Sequence, residues 1–183
     1  YSLDVPTEVV NTTFLENVGE GLVDWKQRGN LLFGITSYGT IKIVDITNIN
    51  DQTLDPDDRI TVLKDDNIIT EGEVLSRPVA MDVAEDASYY LIIDGGNKSV
   101  FVFTYDINSN KTELSTYWGG PGSRSARTKF NSPNDIMIGD DGAIYVLDGA
   151  SFIVKKYNKY YNWVGNIEHP DFLKDRVELL SIS

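Results

Sequence analysis

The stretch that decides the fold is FNSPNDIMIGDDGAIYVLDGASFIVKKYN, residues 130–158. It contains three short apolar runs of period-two character, separated by turn-forming residues. Asp141-Gly142 follows the first run and Asp148-Gly149 ends the second, and Asp-Gly pairs tolerate the positive φ that tight hairpins require. Strands joined by turns this short run antiparallel. The stretch therefore predicts a three-stranded meander.

Two other stretches repeat the pattern. RPVAMDVAEDASYYLIIDGGNKSVFVFTYD, residues 77–106, aligns with it almost piece for piece, and a fainter copy covers residues 22–45. A four-stranded unit with a period of ~40–55 residues is typical of a β-propeller blade. The sequence therefore predicts an all-β fold, a partial β-propeller of about three to four four-stranded antiparallel blades. The blade boundaries are predicted at about 18–75, 76–120 and 129–168, and the ends of the chain are expected to contribute strands to flanking or completing blades.

Length bears on whether such a propeller closes. The chain has 183 residues, whereas six blades of ~40–45 residues need roughly 250. We therefore expect a segment of a larger propeller, completed by further blades or by a neighbouring chain, because open blade edges invite pairing.

The charge and composition of the chain limit the classes of partner that it is expected to bind. The net charge is −12, from 16 basic and 28 acidic residues, and so acidic a surface repels phosphate backbones and anionic lipids. We expect a protein or glycan partner, no nucleic acid and no membrane insertion. There is no cysteine, so neither a disulfide nor a thiolate metal site can form. The acidic, cysteine-free composition, rich in Asn, Asp and Tyr, favours an extracellular or virion-surface location.

The run GGPGSRSARTKFNSPNDIMIGDDGAIYVLDG, residues 119–149, resembles the NHL-repeat propellers. In those, a Gly-rich crossing and a Phe precede a Pro, an apolar strand, an Asp-Gly turn and a strand that ends in Asp. The resemblance extends over roughly residues 22–167 and implies the architecture. NHL proteins include binding scaffolds, signalling ectodomains and a few enzymes, so the resemblance does not imply one function.

A second run, VGEGLVDW at residues 18–25, is similar to the opening of the regucalcin and gluconolactonase group of six-bladed propellers. Pro133-Asn134-Asp135 similarly resembles the Pro-Asn-Asp at the strand starts of that group. The resemblance implies Glu20 as one ligand of a divalent cation such as Ca²⁺ and Asn134 or Asp135 as another, with an alternative function as a lactone or ester hydrolase. The chain departs from that group at Leu22, where Pro is expected, and at Val79, where a ligand Asn is expected. A hard cation prefers six or more oxygen ligands, and this set is incomplete.

The geometry of an antiparallel blade predicts where a ligand would bind. The start of the first strand lies beside the end of the second, so polar residues at these points gather at one mouth of the channel. The predicted ligand-binding residues are Glu20, Arg77, Asp94, Asn134, Asp135 and Asp148. An alternative, which the sequence favours, is that Asp94 and Asp148 accept backbone N–H bonds in their own turns.

Support for catalysis is lacking in the sequence. His169 is the single histidine, which is too few for a usual zinc site, and no G-x-S-x-G elbow accompanies it. No catalytic residue is therefore predicted. The Asp-rich run at residues 51–58 lacks EF-hand spacing and is interpreted as a solvated loop. The leading prediction is a non-enzymatic binding or structural module.

Overall fold

The computed structural model describes residues 21–67, 69–70, 73–123 and 125–167. Within them the chain forms β-strands, and its helical pieces are two 3-10 turns, Pro56–Arg59 and Gly149–Ser151. No helix in this part of the chain has the length and apolarity needed to cross a membrane. Three four-stranded antiparallel sheets follow one another along the chain. The all-β prediction is confirmed.

The first sheet is a meander in which each strand pairs antiparallel with the next. Its strands are β1 (Leu22–Arg28), β2 (Leu31–Thr36), β3 (Thr40–Asp45) and β4 (Thr61–Asn67). Strand β2 is buried along its whole length. Gly29 joins β1 to β2 with φ of 57°, a left-handed conformation that glycine adopts without steric cost.

A two-residue hairpin, β5 (Ile69–Thr70) with β6 (Glu73–Val74), leads to the second sheet. The second sheet comprises β7 (Pro78–Val83), β8 (Tyr89–Asp94), β9 (Ser99–Asp106) and β10 (Lys111–Gly119). Side chains alternate between the two faces of a strand. Because β8 is almost entirely buried, this sheet is covered on both faces.

The third sheet repeats the same order. It comprises β11 (Pro133–Ile138), β12 (Ile144–Asp148), β13 (Ile153–Tyr157) and β14 (Trp163–Ile167). The turn between β11 and β12 has Gly142 at φ of 74°, as the Asp-Gly signal predicted. The Gly139 N–H donates to the carbonyl oxygen of Ala143 at 2.8 Å and closes this hairpin.

The three sheets stack through two apolar layers. Phe33 of the first sheet and Tyr90 of the second are both fully buried, with ring centroids 6.1 Å apart. Leu91 and Ile93, on the opposite face of β8, pack with Phe130 and Val146 beside the third sheet. Burial of one such side chain contributes roughly 1.5–3 kcal/mol, so the two layers hold the stack together.

The first strands lie innermost and adjacent, with β7 contacting both β1 and β11. In each of these first strands, the pairing with the second strand is irregular at the second residue. When the three sheets are compared from this point, Asp24, Ala80 and Asp135 occupy equivalent positions. Three equivalent meanders whose first strands line a common interior have the arrangement of consecutive propeller blades.

Candidate functional site

The candidate residues divide between two ends of the sheets. We call the end where β1, β7 and β11 begin the leading end, and the end where they finish the trailing end. The register pairs Pro78 with Asp94 and Pro133 with Asp148. Both aspartates therefore lie at the leading end, where Thr36 takes the equivalent place in the first sheet.

Asp94 is fully buried and its carboxylate is surrounded by donors. It accepts backbone N–H bonds from Ser76 at 2.6 Å and Arg77 at 2.9 Å, which precede β7. It also accepts bonds from Gly96 N at 2.9 Å and from both nitrogens of Asn97. A carboxylate offers about four lone-pair sites. The carboxylate of Asp94 therefore links the segment before β7 to the turn after β8.

Asp148 has the same role in the third sheet, and its carboxylate also faces the ammonium of Lys155. It accepts the backbone N–H groups of Asn131 at 3.0 Å and Ser132 at 2.7 Å. The ammonium of Lys155 lies 3.6 Å from its Oδ2, and both side chains are fully buried. This pair ties β13 to the segment that precedes β11.

Lys155 is a buried cation that the sequence analysis missed. Its Nζ donates to the carbonyl of Ala126 at 2.8 Å and to that of Lys129, and it lies 5.3 Å from the centroid of the Phe130 ring. Burial lowers the pKa of Lys155, and Asp148 opposes this shift. The available signal was the alternation Ile153, Lys155, Tyr157, which places this lysine on the apolar face of β13.

The other predicted leading-end residues are more open. Arg77 and Asn134 are exposed, and Asn134 Oδ1 accepts the Gly149 N–H at 3.2 Å. Asp135 is half-buried and its Oδ1 accepts the N–H of Ile136 at 2.9 Å. Glu20 lies outside the described residues, so the structure gives no geometry for the ligand pair that it would form with Asn134.

Among the described residues, no group of three or more His, Cys, Asp or Glu side chains is arranged to hold a metal ion. In the Asp-rich loop, Asp51 Oδ1 accepts the N–H and the hydroxyl of Thr53 at 2.9 and 2.6 Å. The Thr53 hydroxyl bond, followed by the N–H bond, lowers the pKa of Asp51. An Asx-type turn therefore accounts for the position of this carboxylate.

Two carboxylates on the innermost strands link neighbouring sheets. Asp24 accepts the N–H of Trp25 on Oδ1 and that of Met81, in the second sheet, on Oδ2, both at 2.8 Å. Asp82 accepts the N–H of Val83 on Oδ1 at 2.9 Å and that of Ile138, in the third sheet, on Oδ2 at 2.6 Å. Burial is the main cause that raises the pKa of Asp24. These bonds fix the relative positions of the sheets near the channel.

A cleft of about 670 Å³ opens at the trailing end, a size typical of ligand sites. The half-buried side chain of Ile138 gives it an apolar base, and Val83 and Ala84, which are almost fully buried, also line it. The guanidinium of Arg28 also lines it, but its Nη2 lies 2.9 Å from Asp82 Oδ1 and its Nε donates to Val83 O. Asp82 therefore neutralises this cation.

The rim of the cleft is acidic. Glu85, Asp86 and Asp140 line it, and all three are exposed. The hydroxyl of Ser88 donates to Asp86 at 2.6 Å, and this bond lowers the pKa of Asp86 and keeps it ionised. Tyr89 adds a half-buried phenol, whose pKa is raised by burial and by nearby negative groups. The cleft therefore combines an apolar base with a negative rim, which suits a positively charged group on an apolar stem.

Comparison with known proteins shows what the fold is similar to. The chain matches no protein-family model and no curated protein. Among solved structures it is similar to a protein from Lactobacillus plantarum, with a TM-score of 0.60 and 10% identity, covering 80% of this chain and 41% of that one. It is also similar to the Cps50 (Swd1) β-propeller domain of Myceliophteria thermophila, with a TM-score of 0.56 and 10% identity over 81% of this chain and 44% of that one.

Hydrazine synthase of Kuenenia stuttgartiensis is a third such structure, with a TM-score of 0.55 and 18% identity over 82% of this chain and 36% of that one. At these identities the similarity shows the fold alone. The chain spans about two fifths of the length of the structures that it matches. It has the fold of part of a β-propeller, as the sequence predicted.

Proposed function

We propose that this chain is a non-catalytic β-propeller module that binds a protein partner through the trailing-end cleft. The observation that carries the proposal is the charge of that cleft. Glu85, Asp86 and Asp140 stand around an apolar base, and the cation that lines the cleft, Arg28, is paired with Asp82. A lysine or arginine side chain of a partner has the matching chemistry, a charged head on an apolar stem.

The carboxylates at the leading end support a structural role for that region. Asp94 and Asp148 are buried and accept several backbone N–H groups each. A buried carboxylate that already accepts such bonds is costly to redirect toward a ligand. Binding is therefore assigned to the trailing end and rigidity to the leading end.

We also propose that the repeats are of the NHL type. The Gly-rich crossing has Gly119 and Gly120 at φ of 122° and 92°, and Phe130, which follows it, is fully buried. Asp148 closes the unit through Ser132. An alignment of natural homologues tests this, since the NHL type requires retention of glycine at 119, an aromatic residue at 130 and Asp148.

The binding proposal is tested with peptides of one length and one apolar content that carry Lys or Arg, Gln, or Glu. Calorimetry or fluorescence anisotropy is expected to show saturable binding of the basic peptide only. The double variant Glu85→Gln/Asp140→Asn should weaken binding roughly 3–10-fold, since each exposed charge pair contributes roughly 0.2–1 kcal/mol. The double variant Asp106→Asn/Glu113→Gln, which also removes two exposed carboxylates but from β9 and β10, is the matched control and should bind like the wild type.

Equal binding of all three peptides, or equal losses in the double variant and the control, would refute the assignment of the cleft. A calorimetric titration with Ca²⁺ tests the hydrolase alternative separately. Saturable Ca²⁺ binding that is abolished by Glu20→Ala and by Asn134→Ala would favour that alternative over the scaffold.

A further inference from the structure

The leading end also presents one aromatic and three basic side chains, which we call the leading-end surface: Tyr38, Arg77, Lys98 and Lys129. Tyr38 lies in the turn between β2 and β3 and is 83% exposed. Arg77 precedes β7 and is exposed, Lys98 lies between β8 and β9 and is half-buried, and Lys129 precedes β11 and is exposed. All three sheets therefore contribute to this surface.

The aromatic member lies beside the first of the cations. Tyr38 is followed by Gly39, and a Cβ on Gly39 would lie 3.3 Å from the Cβ of Leu75. Leu75 in turn belongs to the segment that leads through Arg77 into β7. The turn that carries Tyr38 therefore packs against the segment that carries Arg77.

The three cations lie on adjoining pieces of backbone. A Cβ on Gly95, in the turn that contains Lys98, would lie 3.3 Å from Nη2 of Arg77. The N–H of Gly120 donates to the carbonyl of Lys98 at 2.7 Å, and a Cβ on Gly120 would lie 3.1 Å from Nζ of Lys129. The leading-end surface is therefore one continuous patch that crosses from the first sheet to the third.

The positive charge of this patch is not neutralised by ion pairs. Within the described residues, none of its three cations lies within ion-pair distance of a carboxylate. The ammonium of Lys129 donates to the carbonyl of Gly119 at 2.5 Å, which leaves two of its three N–H donors. The buried carboxylates of Asp94 and Asp148 accept backbone N–H groups instead. Three cations therefore lie together, without partners of their own, in a chain whose net charge is −12.

The turns that carry the patch are held in place by hydrogen bonds. The N–H of Thr40 donates to Oγ1 of Thr36 at 3.0 Å, across the turn that contains Tyr38. Asp94 holds the backbone N–H of Arg77 and those of the turn after β8. Side chains that project from a fixed backbone lose less conformational entropy when a partner binds.

We propose that the leading-end surface binds an acidic segment of a protein partner, separately from the trailing-end cleft. The guanidinium of Arg77 is a planar fork that matches a carboxylate bidentately, and the two lysines offer ammonium groups to further carboxylates. Tyr38 adds apolar area and a hydroxyl for a residue that lies between the acidic ones. Tyrosine and arginine are enriched among the residues that dominate binding energy at protein interfaces.

The charge of the whole chain favours a short acidic protein segment over a nucleic acid. The Debye length at 0.15 M salt is about 8 Å, so a segment that contacts this patch alone responds mainly to the three cations. A nucleic acid extends past the patch and meets the rest of a chain whose net charge is −12. That surface repels phosphates, so the same cations serve a nucleic acid less well.

Fluorescence anisotropy of the full chain with labelled ligands at 0.15 M salt tests the proposal. Two peptides share one length and a central leucine and carry either Glu or Gln at the flanking positions, and a thymidine oligonucleotide has the charge of the Glu peptide. The Glu peptide should bind saturably and at least about fivefold more tightly than the Gln peptide. Absent or equal binding of the two peptides overturns the proposal. Tighter binding of the oligonucleotide than of the Glu peptide overturns it in favour of a nucleic acid.

A pair of double variants tests the contribution of the cations. Arg77→Gln/Lys98→Gln should raise the dissociation constant of the Glu peptide roughly 3–10-fold. Lys111→Gln/Lys159→Gln removes two exposed cations that lie outside the patch and should leave the constant within about twofold of the wild type. Circular dichroism checks that both proteins fold. Equal losses in the two double variants overturn the proposal.

Single variants test the aromatic member and decide the question if the first double variant does not fold. Tyr38→Ala should raise the dissociation constant at least about fivefold. Its control is Tyr160→Ala, which removes a tyrosine that is 69% exposed in the turn between β13 and β14. The trailing-end variant Glu85→Gln/Asp140→Asn should leave the constant within about twofold, because the two sites are separate. An unchanged constant in Tyr38→Ala, or an equal loss in its control or in the trailing-end variant, overturns the proposal.

Discussion

Replacing Lys155 by methionine tests the buried ion pair of the third sheet. The ammonium has no exposed surface, faces Asp148 at 3.6 Å and donates to the carbonyls of Ala126 and Lys129. Methionine fills the space of the aliphatic stem but leaves the carboxylate without its counter-ion and two carbonyls without their donor. Removing one partner of a buried pair costs about 3–5 kcal/mol.

The substitution also removes the cost of burying the ammonium, and this offsets part of the destabilisation. We therefore expect the free energy of unfolding to decrease by about 3 kcal/mol. At roughly 2–4 °C per kcal/mol for a chain of this size, the melting temperature should fall by about 6–12 °C. Urea denaturation followed by circular dichroism measures both proteins. Lys111→Met is the control, because Lys111 is exposed at the start of β10 and should change stability by no more than about 0.5 kcal/mol. Equal, small effects of the two substitutions would refute the buried pair.

The pH dependence provides a second readout of the same pair. Burial lowers the pKa of Lys155 below 10.5. Between the folded pKa and 10.5 the unfolded chain therefore binds the proton more often than the native one does. Stability attributable to this group rises with pH across that window. The free energy difference between wild type and Lys155→Met should thus increase as pH approaches 10.5 from below, and a decrease there would contradict the sign of the shift.

Three further results are expected. Asp94→Ala should lower the free energy of unfolding by at least ~3 kcal/mol, because several buried N–H groups lose their acceptor, and Asp94→Asn should cost less in the same urea titration. Gly119→Ala should cost about 1–3 kcal/mol, since a Cβ there would lie 2.7 Å from Lys98 O; an unchanged midpoint would contradict this close approach. Burial raises the pKa values of Tyr90 and Tyr157, so the native state holds their protons above pH 10 and stability falls as pH rises further. Far-ultraviolet circular dichroism should show a shallower alkaline transition when both are replaced by phenylalanine than in the wild type.

The features that sequence predicted are local ones. Alternation of apolar residues specifies strands, and Asp141-Gly142 specifies the hairpin between β11 and β12, because each signal lies within a few residues. Repetition of the unit then specifies the fold. The carboxylates of Asp94 and Asp148 follow the same logic, since an Asp at the end of a strand is placed to accept the N–H groups of its own turn.

The features that sequence did not predict depend on contacts between distant segments. Asp82 accepts the N–H of Ile138, which lies 56 residues away in the chain. When β7 is aligned with β1, Asp82 corresponds to Lys26 and not to Asp24. Comparing the repeats alone therefore does not reveal that Asp24 and Asp82 act alike. The trailing-end cleft likewise forms between turns of different sheets, so no single motif encodes it. The alternation along β13 indicates that Lys155 lies on an apolar face, but its carbonyl acceptors, Ala126 and Lys129, lie in a distant segment, so the sequence does not show how the buried ammonium is paired.

Amide exchange at Met81 and Ile138 tests the central claim, that the meanders lie side by side around a common axis, most directly. Their N–H groups donate to carboxylates of a different sheet, at 2.8 and 2.6 Å. Nuclear magnetic resonance should find both amides protected in the wild type, with protection lost at Met81 alone in Asp24→Ala and at Ile138 alone in Asp82→Ala. Rapid exchange at both positions in the wild type, or protection that neither substitution changes, would contradict the arrangement.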